Sequence, residues 1–220
     1  TDGTLLSFVT EEVTLLDGTD FSTGLPSGIT AYNPSSALAV SFGNSIGGSD
    51  NTYLAEVVGS GTFVPLRATL STNLFVGDTV TFSVEVFLPT SNTSTGISLL
   101  TGTLSTSSHN IQVTKGSWQT ISVTSTKTSS GQNQFRIQRF IDASNNQVVA
   151  VGDKIYVRRF KVTVKSSDGF VKTWYDQSGN SNNAVQATPA DQPKIVDGGS
   201  LNADDAGKPQ IAFGSDPTFL

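Results

Sequence analysis

Across residues 79–88, Val80, Phe82, Val84 and Val86 alternate with Thr79, Thr81, Ser83 and Glu85. A repeat of two belongs to a pleated strand with one buried face, whereas the apolar positions of a helix recur every three or four residues. Gly77-Asp78 turns the chain into this strand, and Pro89, which has no N–H to give to a ladder, ends it. Residues 11–16, 37–42, 53–58, 63–70, 96–100, 110–114, 118–126, 133–141 and 154–165 read as further strands. Between them lie turns such as Asp17-Gly18-Thr19-Asp20 and the glycine-rich 43–48, with Pro26, Gly28, Asn33 and Pro34 marking a looped stretch. About nine strands at spacings of about 8 to 15 residues, with no heptad and no internal repeat, is the pattern of an all-β sandwich.

The last of these runs changes phase. Ile155 and Val157 share one parity, and Phe160, Val162 and Val164 share the other. One extra residue keeps all five on the same side, so a β-bulge is predicted at Arg158-Arg159. The alternation also names a core: Val80, Phe82, Val84, Val86, Ile121, Val123, Phe135, Ile137, Ile155, Val157, Phe160 and Val162.

Only 14% of residues are charged, the net charge is −5, and there are 21 Gly, no Cys and no Met. An acidic chain without a basic stripe repels a phosphate backbone, which argues against nucleic acid as a partner. No apolar run approaches the roughly 20 residues that span a bilayer, which argues against membrane insertion. Without Cys there is no disulfide framework and no thiolate metal site.

Residues 171–188, VKTWYDQSGNSNNAVQAT, together with Gln192-Pro193-Lys194-Ile195 and Gly207-Lys208-Pro209-Gln210-Ile211-Ala212-Phe213, carry a family resemblance. They resemble the start of the arabinofuranosidase-type concanavalin A-like (laminin-G-like) domain found in phage virion and secreted bacterial proteins. Asp2-Gly3-Thr4-Leu5-Leu6-Ser7-Phe8-Val9 is similar to the short helix and linker that precede this motif in the family. The resemblance implies that residues 1–9 and 166–220 belong to one split and truncated domain, with residues 10–165 inserted into it. The inserted part is itself similar, through residues 75–84, 116–123 and 155–162, to jelly-roll carbohydrate-binding modules. The expected fold class is therefore all-β, a jelly-roll β-sandwich inserted into a partial concanavalin A-like β-sandwich. Where such modules carry an acidic pair that holds a structural calcium, this chain has Arg158 and Arg159, and two cations cannot ligate a third.

No nucleophile elbow, phosphate loop or metalloprotease motif occurs, so no catalytic residue, metal site or cofactor is expected. Asp176, Asp191, Asp197, Asp204, Asp205 and Asp216 sit among Gly, Asn and Pro, where short carboxylates cap turns; Asp176 and Asn180 are expected to brace the turn after Trp174-Tyr175. The resembling enzymes would have their catalytic acids beyond Leu220. His109 stands in a Ser-rich loop with no second ligand, and Trp118 at a strand start is read as a core plug. A sugar site needs an aromatic face flanked by planar polar groups. Tyr156, Arg136, Gln138 and Arg158 have the outward parity for it and could share one concave face, with Glu85 as an alternative partner for Arg136. The expectation is a non-enzymatic structural or receptor- and glycan-recognition component of a phage virion, a tail fibre or related appendage. Its partners would be other virion subunits, copies of itself (a trimer among the options) and a cell-surface glycan. The alternatives are a secreted bacterial carbohydrate-binding protein and a fragment of a glycoside hydrolase of arabinofuranosidase type.

Overall fold

The nested pairing of strands organises the larger part of this chain. The structure, a computed structural model, describes residues 12–18, 21–32, 37–60, 64–70, 74, 76–102, 108–129, 134–166, 168–176, 178–188, 191–197 and 200–211. The expected first segment, residues 1–9, lies outside the described residues, as do 212–220 with Asp216. Chain contacts divide the protein into two compact units, Val13–Val164 being one and the described residues from Lys165 onward belonging to the other.

In the first unit the strands are β1 (Glu12–Gly18), β2 (Ile29–Tyr32), β3 (Leu38–Ile46), β4 (Ser49–Val57), β5 (Val64–Thr69) and β6 (Thr79–Phe87). They continue with β7 (Gly96–Leu100), β8 (Ser108–Gln112), β9 (Trp118–Thr126), β10 (Gln134–Ile141), β11 (Gln147–Val148) and β12 (Lys154–Lys165). One six-stranded sheet has the order β3-β4-β12-β6-β9 with β1 on β12, and the other β2-β5-β10-β7-β8 with β11 on β10. Read outward from the β7–β8 hairpin, the pairs are β7–β8, β6–β9, β5–β10 and β4–β12, alternating between the sheets. That is one long antiparallel ribbon rolled over itself. The fold is a jelly roll.

The rolling places every strand's apolar face against the other sheet. Phe82 of β6 sits 4.7 Å from the ring of Phe160 on the adjacent β12 and, across the sandwich, 5.9 Å from that of Phe135 on β10. Of the twelve core residues expected, all are buried except Val123, which is half-buried on the edge strand β9. Tyr53 ties the sheets from inside, its buried hydroxyl donating to the Pro65 carbonyl on β5 at 2.5 Å; burial raises its pKa above the ordinary phenol value.

The predicted bulge is present. Arg158 and Arg159 both lie outward between buried Val157 and buried Phe160, and Arg159 takes a left-handed φ of 50°. A second bulge was not anticipated: in β10 the register with β7 passes from Ile137↔Leu99 to Arg139↔Ser98, skipping Gln138. The two share a sequence pattern, Ile137-Gln138-Arg139-Phe140 in one sheet and Val157-Arg158-Arg159-Phe160 in the other, but of these residues only Arg159 has a positive φ.

Two readings of local structure are corrected. Residues 43–46 are strand rather than turn. Gly43, at φ 66°, lets β3 skip register between Ser41 and Asn44, after which Asn44 and Thr52 hydrogen-bond each other's carbonyls and the chain turns only at Gly47-Gly48. The stretch read as looped contains β2, whose four residues are too few to show alternation and are held by pairing to β5 with Ile29 buried.

The second unit holds a three-stranded sheet of β13 (Gly169–Phe170), β16 (Lys194–Asp197) and β17 (Ser200–Leu201), and a hairpin of β14 (Thr173–Trp174) with β15 (Ala184–Val185). Lys194 links its strands through ion pairs to Asp168 at 2.8 Å and Asp197 at 3.1 Å.

Candidate functional site

The four residues expected on one face fall on two. Arg136 and Gln138 belong to β10, and Tyr156 and Arg158 to β12. The nested pairing puts these strands in different sheets. Both pairs turn away from the common core, so the sandwich separates them.

On the outer face of the β12 sheet the groups satisfy one another. Arg158 Nε donates to Glu85 Oε2 at 2.5 Å, and Arg159 Nη1 to Oε1 at 2.7 Å. Burial alone would raise the Glu85 pKa, but the hydrogen bonds and charges of Arg159 and Arg158 outweigh it and hold the carboxyl below its ordinary value. The Arg158 guanidinium also lies 4.3 Å from the Trp118 ring centre, a cation–π contact. Trp118 is therefore no core plug. It packs outward against Phe87 at 5.7 Å, donates from Nε1 to the Ile46 carbonyl, and lies beneath the Gly47 turn, where a Cβ would stand 3.0 Å from its ring. Tyr156 meets Phe87 edge-on at 6.2 Å. This aromatic cluster is occupied by its own arginine, and Glu85 serves Arg158 and Arg159, not Arg136.

The outer face of the β10 sheet is different. Register aligns Thr30, Arg67, Arg136, Leu100 and Ser108 as successive partners across all five main strands. Arg136 Nη2 donates to Gln134 Oε1 at 2.7 Å, and Arg67 Nε to Thr30 Oγ1 at 3.3 Å. The β10 bulge sets Gln138 and Arg139 side by side beyond Arg136, all three half-buried. The Nε atoms of Arg136 and Arg139 are buried with no hydrogen-bond partner. Arg67 and Arg139 escaped the sequence reading. The signal for Arg139 was present, because Ile137 and Phe140 break parity as Val157 and Phe160 do.

His109 stands on strand β8 rather than in a loop, opposite Leu99, and lines an open groove of ≈ 710 Å³ between the edge strands β8 and β9 with Ile111 and Val123. Asp153 is a structural carboxylate, accepting the backbone N–H groups of Thr93 and Ser94 at 2.6 and 2.8 Å. In the second unit Asp176 accepts hydrogen bonds from the Ser178 hydroxyl and N–H and from the Asn182 N–H, which hold its pKa low, while Asn180 bonds Ser178. These bonds brace the turn. They leave Trp174, 58% exposed, and Tyr175, 65% exposed, at the surface, Trp174 beside an apolar groove of ≈ 250 Å³ shared with Val185 and Pro193. Among the described residues no group of three or more His, Cys, Asp or Glu is placed to hold a metal ion.

No family model matches the chain, and no curated protein does. Among solved structures it is similar to the CBM22-1–GH10 part of a Clostridium thermocellum xylanase in complex with xylohexaose, at 15% identity and TM-score 0.45, over 72% of this chain and 30% of that one. It is similar to the CBM22-1–CBM22-2 tandem domain of Paenibacillus barcinonensis Xyn10C, at 11% identity and TM-score 0.48, over 79% of this chain and 49% of that one. It is also similar to a Stig cyclase of Fischerella sp. TAU, at 17% identity and TM-score 0.43, over 70% of this chain and 91% of that one. The chain thus spans less than half the length of the first two. At these identities, what the protein does has to be argued from its own residues.

Proposed function

We propose that this protein is a non-enzymatic glycan-recognition component that reads sugar through the outer face of the β10 sheet. The observation that carries the reading is the row of planar polar side chains, Arg67, Gln134, Arg136, Gln138 and Arg139, lying half-buried on one sheet face. Guanidinium and amide groups pre-set by a rigid sheet match the paired hydroxyls of a sugar with little conformational cost. Tyr156 and Arg158 are not part of this site.

A glycan array probed with the intact chain tests it. Binding is expected, and Arg136→Ala and Gln138→Ala should each abolish most of it; binding that survives both substitutions rules out this face. Release of reducing ends from a bound glycan would overturn the non-enzymatic part.

In its finer form the proposal is a virion component, part of a phage tail fibre or related appendage, with other virion subunits and copies of itself as partners. The motif of residues 171–188 supports it, as does a weakly charged chain without Cys or Met, suited to persisting outside the cell. Mass spectrometry of purified particles, set against the secreted fraction of the same culture, separates this from a secreted bacterial carbohydrate-binding protein.

A further inference from the structure

We infer that the ligand of the β10 sheet face is an anionic polysaccharide, carrying carboxylate or sulfate groups, held by Arg67, Arg136 and Arg139. The inference rests on the glycan reading above and specifies its ligand class.

The chain as a whole is acidic, with 18 Asp and Glu against 13 Lys and Arg. Yet strands β2, β5, β7, β8, β10 and β11 contain no Asp or Glu at all, and three Arg. The acids are therefore sorted by sheet, since Glu85 and Glu56 stand on the other one, alongside the Lys and Arg residues of β12. Register makes Arg67 and Arg136 direct cross-strand partners, a placement in which like charges repel. Among the described residues neither Arg136 nor Arg139 enters an ion pair. Their partnerless buried Nε atoms add a further desolvation cost. A bound anion gives the Arg136 and Arg139 guanidiniums a counter-charge, and the fork of a guanidinium fits carboxylate and sulfate alike.

Among the described side chains of this face none is aromatic. The sheet's described Phe side chains, Phe135 and Phe140, point into the core at 1% exposure each. What these side chains of the outer face offer a sugar is charge-assisted hydrogen bonds, with Gln134, Gln138 and Thr30 beside the arginines for hydroxyls.

Affinity electrophoresis of the intact chain against polygalacturonate, dextran sulfate, neutral dextran and xylan tests the inference. Retardation is expected in at least one anionic polymer, and which of the two retards distinguishes carboxylate from sulfate. Binding should weaken steeply between about 0.05 and 0.5 M NaCl. Arg67→Gln/Arg136→Gln should weaken it by about tenfold or more, the loss expected for charge-assisted hydrogen bonds, with a melting temperature unchanged or higher. Lys165→Gln/Lys208→Gln, which removes the same charge elsewhere, should bind like the unaltered protein; equal weakening would overturn the inference. Neutral polymers bound as tightly as the anionic ones, and weakened alike by Arg67→Gln/Arg136→Gln, would overturn the anionic class and leave the glycan reading standing. Retardation in none of the four overturns both. Equal binding to polyglutamate or duplex DNA would reduce the face to general charge attraction and overturn the inference.

Discussion

At Glu85 two guanidiniums and a tryptophan are organised around one carboxylate. Its folded pKa lies below the ordinary value of 4.5, so its contribution to stability is complete above that value and disappears as pH falls through the lower folded pKa. The difference in melting temperature between the unaltered protein and Glu85→Gln should therefore be largest near neutral pH and shrink toward about pH 3. Glu85→Ala should cost about 1–2 kcal/mol, because Arg158 and Arg159 lose their shared partner at a half-buried site. Denaturant melts across pH check both, and a pH-independent difference would show that the pairing does not stabilise the fold. On the other sheet Arg136 has the same side chain and the opposite circumstance, a neighbouring cation in place of a carboxylate. The contrast between Arg158 and Arg136 is what separates a satisfied surface cluster from a candidate binding face.

The bulges are the elements that set these environments. In β12 a single left-handed residue, Arg159, keeps Ile155 and Val157 on the same side as Phe160, Val162 and Val164. Deleting Arg159 would turn the last three toward solvent, since a slip of one residue reverses every side chain beyond it. Cooperative unfolding followed by circular dichroism should be lost in that deletion, whereas Arg159→Gly, which meets φ 50° without steric cost, should stay within about 1 kcal/mol. A deletion that melts like the unaltered chain would show that the bulge is dispensable. In β10 the corresponding skip at Gln138 decides which polar groups reach the outer face, so a structural irregularity also shapes the candidate site.

At the scale of the whole molecule, the described residues of the main hydrophobic core all come from Phe21 to Val164. Phe82 bridges the two sheets within it, and Phe82→Ala should cost about 3–5 kcal/mol through lost burial and the cavity left behind. Residues 13–164 expressed alone should unfold cooperatively at the same urea midpoint as the full chain. A lower midpoint would mean that the second unit contributes to this core.

Alternation along 79–88 and the parity break at Arg158-Arg159 were enough to read strands, buried faces and one bulge, because a strand's two faces are written in consecutive residues. The brace at Asp176 was legible for the same reason: its partners lie within the same turn. Which outward faces coincide was not legible, because it depends on pairings between residues tens of positions apart. Tyr156 and Arg136 carry the same outward parity, and only the rolling of the ribbon, which sends β10 and β12 to different sheets, separates them. That rolling also brings Arg67 opposite Arg136 and leaves one sheet whose strands carry arginine but no Asp or Glu. The physical reason is that parity is a local property of the backbone, whereas the neighbour across a strand is chosen by burial of the core as a whole.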